Sequence, residues 1–340
     1  MKAVVFREVG KGISVEEMPA PAVSGEHDVL IRVRDCGICG SDLAILEGRH
    51  PSKPPVILGH ELSGEVVAVG KSVMSVAPED HVVVDPNVSC GRCTPCRLGR
   101  RNMCLDMVEL GITRNGGFAE LMLAPENFVY RVRDRLSWRA AALIEPLACV
   151  VHGFERSRVQ PDETAVVYGA GPMGLLWVTM LRRAGVDNVF SVDLSEKRRE
   201  MAKQLGADVT IDPTENDPVE LVHRLTDGRG ADVAVEMIGR AETVENSVRS
   251  VGAGGRVVIM GVSRKDALSR ISPFDVMAKE VEIIGSNANA YGFVPSIRLI
   301  ESGAIPVDFL VSHEVPISEA QRAFDLCKSG EGLKVLIRPV

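Results

Sequence analysis

The rhythm of apolar and polar positions changes near the middle of this 340-residue chain. Over residues 1–150, short β-branched runs recur at 29–33, 65–69 and 81–85, punctuated by Gly, Pro and Asp. Such runs predict the short strands of a small barrel or sandwich. Beyond about residue 160, strand-like runs alternate with helix-like ones. The pattern predicts strands at 164–168, 189–193, 232–238 and 256–260, with helices at 175–183, 196–205 and 243–251. That alternation predicts a parallel sheet with helices on both faces. From residue 293 it stops. Helices near 295–302 and 317–328 and a closing strand at 334–337 are free to return to the first domain.

Length and composition narrow the classes. A chain of 340 residues suggests two domains. Hydrophobic residues make up 45% and charged residues 25%, the balance of a globular protein with full cores. The formal net charge of -7, without a basic patch, argues against nucleic acid as a partner. No apolar run reaches the length of a membrane span. The start is broken too soon by Arg7 and Glu8 for a signal peptide. Eight cysteines, half of them clustered, suit a reducing compartment and a metal, so a cytoplasmic location is expected.

Two motifs carry chemistry by themselves. Gly169-Ala170-Gly171-Pro172-Met173-Gly174 directly follows an apolar strand and opens an apolar helix within a βαβ unit. In that context G-x-G-x-x-G predicts a dinucleotide site, with the phosphates at a helix N-terminus. Asp193 ends the second strand, 19 residues after Gly174. A carboxylate there accepts from a ribose 2′-hydroxyl and repels a 2′-phosphate, which predicts NAD over NADP. Arg198 and Arg199 lie close enough in sequence to soften that preference. The second motif is Cys90, Cys93, Cys96 and Cys104, spaced C-x2-C-x2-C-x7-C. So compact a set predicts a closed four-sulfur metal site, with tetrahedral zinc its usual occupant. A disulfide framework and rubredoxin-like iron fit the spacing less well. Arg92, Arg97, Arg100 and Arg101 surround the cluster and are expected to favour its thiolates.

Further candidates are scattered: Cys39 in Cys39-Gly40-Ser41-Asp42, His60 and Glu61 after Gly59, and Glu145 before Pro146-Leu147. Each has a bland reading alone, and Cys36 with Cys39 could form a redox pair. Taken together and in this order, with the four-cysteine lobe and the glycine fingerprint, they resemble the zinc-containing medium-chain alcohol dehydrogenases, and within these the polyol (sorbitol-type) branch. The resemblance covers nearly the whole chain. It implies a GroES-like β-rich catalytic domain, residues 1–150 and 287–340, interrupted by a Rossmann doubly wound parallel-sheet domain, residues 151–286. It places the active site in the cleft between them.

The resemblance also implies two zincs per chain. Cys39, His60 and Glu61 would hold a catalytic zinc, with Glu145 touching it directly or through water. Cys90, Cys93, Cys96 and Cys104 would hold a structural one. A thiolate and one carboxylate already neutralise Zn2+, so Glu61 and Glu145 are expected to bind in turn. Gly169, Gly171, Pro172, Met173, Gly174, Asp193 and Arg198 would hold NAD. Zinc would polarise the substrate hydroxyl, and Ser41, or Glu61 or Glu145 acting as base, would take its proton. The relay histidine of relatives is Ala44 here; His50 is the nearest substitute, and Asp42 is expected to be structural. Phe118 and the stretch 287–291 fall where relatives line the substrate pocket. The asparagines and Tyr291 of that stretch suit a neutral polyol, cyclitol or sugar. A threonine-type (amino alcohol) dehydrogenase is the sibling reading. A catalytically silent nucleotide-binding sensor is the reading from another class, and the intact candidate set argues against it. The family further implies a homo-oligomer, a dimer or homotetramer, joined through the strand near 281–285.

Overall fold

The protein is described from a computed structural model covering residues 1–339. The chain forms two compact units, one of Met1–Ala148 with the segment from Ala288 onward, the other Cys149–Asn287.

In the first unit, a seven-stranded sheet centres on Asp28–Gly37. Its residues alternate as a half-buried strand should: Val29, Ile31 and Val33 face the core, while Arg32 and Arg34 point outward to Glu65 on the neighbouring strand. Glu61–Val69 lies antiparallel on one side and the closing strand Lys334–Arg338 on the other, with Leu121–Pro125 also pairing to the central strand. Register fixes the site. Gly37 stands opposite both Glu61 and Leu336, so residues from three distant stretches of chain meet there. A small sheet of Ile13–Glu17, Lys2–Phe6 and Val56–Ile57 completes the core. The helices Gly40–Leu46, Trp138–Ala142 and Ile144–Ser157 were not foreseen. Gly40–Leu46 and Trp138–Ala142 are too short to establish a helical period, whereas Ile144–Ser157 does carry an amphipathic helical pattern that was there to be read.

In the second unit, six parallel strands run in the order Val209–Ile211, Asn188–Val192, Thr164–Tyr168, Ala231–Glu236, Val251–Ile259, Glu282–Gly285. The order reverses beside Thr164–Tyr168, the doubly wound pattern with its switch point. All five residues of Thr164–Tyr168 are buried, as expected of a strand covered on both faces. The helix predicted from 175 begins at Pro172, whose fixed φ suits a first helical position. The strand predicted from 256 begins at Val251; a register shift near Ala231 and the run Gly252–Gly255 hid its first half.

The fingerprint's three glycines have three separate reasons. Gly169 has φ +100°, open to glycine at little cost. A Cβ on Gly171 would meet nothing, leaving the backbone open to a ligand. A Cβ on Gly174 would fall 1.7 Å from the Gly169 carbonyl oxygen. Gly174→Ala should therefore destabilise this unit by roughly 1–3 kcal/mol or more. Its thermal midpoint checks this; native-like stability would contradict the close packing.

Candidate active site

Cys39 precedes the helix Gly40–Leu46, and its N–H donates to Asp42 Oδ2 at 2.9 Å. This bond fixes the thiol at the start of the helix. Gly59 (φ +92°) turns the chain just before His60, and Glu61 opens the strand Glu61–Val69. His60 is buried. Its Nε2 lies 3.2 Å from Ser41 Oγ and its Nδ1 3.6 Å from Asp42 Oδ1. Burial alone would lower the imidazole pKa, but the Asp42 carboxylate, Cys39 and Glu145 outweigh it and raise it well above its ordinary value. The ligand atoms of Cys39, His60 and Glu61 lie within 4.8 Å of one another. A thiolate, an imidazole and a carboxylate so placed fit a zinc site with its fourth position free.

Glu61 is 1% exposed and paired with Lys334, whose Nζ donates to Oε1 at 2.6 Å and Oε2 at 2.5 Å, and to the Ile38 carbonyl at 3.2 Å. Burial would lower the Lys334 pKa, yet Glu61 and Cys39 raise it, so the ammonium stays charged. Gly37 makes room: a Cβ there would come 2.2 Å from Glu61 Oε2. Glu145, in the first turn of Ile144–Ser157, is buried and acts electrostatically on His60 and Lys334, but it does not join the convergent trio.

The four lobe cysteines also converge within 4.8 Å, and all are free thiols. Cys93 Sγ and Cys104 Sγ are 3.9 Å apart. That is far beyond a disulfide and close to the about 3.8 Å expected of two sulfurs bound tetrahedrally at 2.3 Å to one zinc. The surrounding arginines do not do the work expected of them. Backbone N–H groups of Leu105 and Cys96 hold Cys93 down to about 6, while Arg101 pairs with Asp85 and Arg92 with Asp106. Burial and the neighbouring sulfurs push Cys96 up to about 12, so four thiolates need a cation among them.

At the nucleotide fingerprint, Asp193 accepts from the Ala170 N–H at 2.7 Å and the Ser195 N–H at 2.8 Å. Arg199 is committed to Asp212 at 2.8 Å and to the carbonyls of Asp193 and Leu194. The Arg198 backbone N–H points to Ser195 Oγ at 3.5 Å. Pro172 and Met173 form the first turn of the helix, beside the open Gly171. With space at Gly171 and a carboxylate at Asp193, the turn fits a dinucleotide.

Several expectations need correction. Phe118 is fully buried, edge-on to Phe324, and belongs to the core rather than to a pocket. Asn289 is buried too; its amide donates to Asp85 Oδ1 at 3.0 Å. Tyr291 is exposed and lies over the Arg101 guanidinium, 5.4 Å from its ring centroid. Ala44 is sealed in its helix, and a His50 ring nitrogen rests on the Pro51 carbonyl. Asp42 is structural, as expected, but it also faces His60. The three-residue step from Cys39 to a helix-capping Asp was the available signal. Lys334 was missed outright. Its one signal was an ammonium opening the apolar run Val335-Leu336-Ile337.

An open three-ligand centre, a closed four-sulfur lobe and a dinucleotide turn together define a zinc-binding dehydrogenase, an oxidoreductase using a nicotinamide cofactor. Residues 25–134 match the alcohol dehydrogenase GroES-like domain and residues 172–302 the zinc-binding dehydrogenase domain. Sorbitol dehydrogenase of Bacillus subtilis is 35% identical, covering 100% of this chain and 97% of its own. D-xylulose reductase A of Aspergillus niger is 33% identical over 96% of this chain and 94% of its own. A zinc-binding dehydrogenase from Sinorhizobium meliloti, crystallised with NADP, superposes with a TM-score of 0.94 at 38% identity, covering 99% of each chain. An alcohol dehydrogenase from E. coli complexed with NADH gives 0.91 at 29% identity, again over 99% of each. The chain belongs to the zinc-containing medium-chain alcohol dehydrogenase family. No helix among the described residues is long and apolar enough to cross a membrane.

Removing one partner of the buried pair strands the other. Lys334→Met should cost about 3–5 kcal/mol, and adding Glu61→Leu should recover much of it. Denaturant unfolding of the metal-free proteins tests this; a single variant as stable as wild type would contradict the pairing.

Proposed function

We propose that the protein interconverts a secondary alcohol of a polyol, cyclitol or sugar and the corresponding ketone, with NAD as the hydride carrier. The observation that carries this reading is the convergence of Cys39, His60 and Glu61 beside the Ser41 hydroxyl. The full-length similarity to a sorbitol dehydrogenase and a D-xylulose reductase supports the substrate class.

In this reading Cys39, His60 and Glu61 hold one zinc, Cys90, Cys93, Cys96 and Cys104 hold a second, and Glu145 stands beside the first. Zinc at the open site would supply Lewis-acid polarisation of the substrate oxygen. Asp42 Oδ1 faces His60 Nδ1 at 3.6 Å, an electrostatic contact beyond hydrogen-bond distance, from the side where carboxylates behind ligand histidines stand. Ser41, next to His60 Nε2, is placed to accept the substrate proton. Lys334 revises the charge count: its ammonium and Zn2+ together balance Cys39, Glu61 and Glu145. Both carboxylates can therefore remain near the metal without making the set anionic, and Lys334 holds Glu61 whenever it leaves the ligand shell.

Asp193 favours NAD, and of the two arginines that follow it Arg199 is committed to Asp212, which leaves Arg198 as the one free to meet a 2′-phosphate. The NADP in the Sinorhizobium structure makes this the point to measure. A homo-oligomer is supported by the sheet's edge strand Glu282–Gly285, where Ile283 is exposed, and by the exposed Phe274 and Met277 of the preceding helix. Eight cysteines with no disulfide among them suit the cytoplasm.

Reduced cofactor formation across polyols, cyclitols, sugars, amino alcohols and simple alcohols should be highest with a polyol, cyclitol or sugar. kcat/KM should be higher with NAD than with NADP. Fastest turnover of an amino alcohol, or an NADP preference, would overturn the respective part. His60→Ala should cut turnover beyond the roughly 10–100-fold typical of losing a partner behind a ligand, while NADH still binds. Near-native turnover in that variant would remove His60 from the site.

A further inference from the structure

Glu236 ends the strand Ala231–Glu236 and is fully buried, yet none of the chemistry above uses it. Its Oε1 accepts from the Ile238 N–H at 2.9 Å, the Gly239 N–H at 2.8 Å and the Thr243 hydroxyl at 2.7 Å. Its Oε2 has no partner, and no Lys, Arg or His pairs with it among the described residues. Burying a carboxyl group with one oxygen unsatisfied is costly. The turn that Oε1 gathers is what the side chain provides in return.

That turn sits against the fingerprint. Glu236 is in register with Tyr168, the residue before Gly169. A Cβ on Gly169 would lie 2.8 Å from Ile238 Cγ1, so the Ile238 side chain rests directly on the first fingerprint glycine. It is nevertheless 43% exposed, an apolar surface beside the switch point, where open parallel sheets take their ligands. The packing behind it is backbone-tight. Gly239 has φ +79°, and a Cβ there would come 2.6 Å from the Val262 carbonyl oxygen. A Cβ on Gly261 would come 2.6 Å from Glu236 Oε2.

We propose that Glu236 is a positioning residue for the dinucleotide. By capturing the amides of Ile238 and Gly239, it holds the Ile238 side chain over Gly169 as a preformed apolar wall against which the cofactor binds. This rests on the reading of residues 169–174 as the nicotinamide-dinucleotide site. A wall fixed in advance spares the cofactor the cost of ordering it.

The test is a double-mutant cycle on the zinc-loaded protein, read as the Kd of NADH and of NADPH by fluorescence titration. Glu236→Ala and Ile238→Ala should each weaken the preferred dinucleotide by about tenfold. The double variant should be no more than about twofold weaker than the weaker single, because the two side chains act as one unit. Glu236→Gln, which keeps an oxygen for the amides, should stay within about threefold of wild type. If Glu236→Ala does not fold, Glu236→Asp, whose shorter arm withdraws the oxygen, replaces it in the cycle. Additive losses, or unchanged binding in both the Ala and Asp variants, would overturn the proposal even if thermal stability fell. Wild-type protein that binds neither dinucleotide would overturn the underlying reading of the fingerprint, and the proposal with it.

Discussion

A buried charge pair organises the catalytic unit. Lys334 and Glu61 are separated by 273 residues, and each is almost wholly out of water. Neither charge could stay there alone, because stripping an ion of water costs several kcal/mol. Their pairing requires the closing strand to come back beside Asp28–Gly37, requires glycine at position 37, and sets the carboxylate that faces Cys39 and His60. A buried pair of this kind contributes less to net stability than an apolar pair of the same volume would. What it contributes here is a single allowed register for the strand that completes the site, together with a positive charge that two neighbouring carboxylates and a thiolate need.

The two cysteine-bearing clusters divide along a physical line. In the lobe, four sulfurs would fill every tetrahedral position of a zinc, backbone amides favour some of the thiolates, and no position would be left for substrate. The lobe has few buried residues, with Leu98, Met103 and Leu105 exposed, and it depends on tethers. Arg101 reaches from it to Asp85, which also receives Asn289, and its guanidinium lies 5.0 Å from the Phe128 ring centroid as well as over Tyr291. At the other centre three unlike donors leave a position open, and each is steadied from behind: Cys39 by the helix start, His60 by Asp42, Glu61 by Lys334. Asp42 serves two of these, since its Oδ2 takes the Cys39 amide and its Oδ1 faces His60.

Much of this was legible in the chain. The parallel sheet announced itself through runs such as 164–168, because strands buried on both faces are apolar throughout. The glycine fingerprint was legible because each glycine answers a different geometric demand. The four-cysteine lobe was legible because all its ligands are local. Long-range pairings were harder to read. Lys334 carries no local mark of its partner, and Glu61, 273 residues away, carries none of Lys334. Phe118 looked like a pocket residue because its position matched that of relatives, whereas burial depends on Gly59, Leu58 and Phe324 packed around it. Glu236 fell inside the strand expected at 232–238, and only the folded turn after it brings its oxygen to two amides.

The central claim is that one chain carries two zinc sites of unequal role. Zinc content per chain should be measured before and after brief exposure to a chelator, with polyol-dependent NADH formation assayed on the same samples. The account predicts two zincs initially, one removed readily along with all activity, and one retained by the four-sulfur lobe in a protein that stays folded. A single zinc in the active protein, or full activity after the labile zinc has gone, would contradict it.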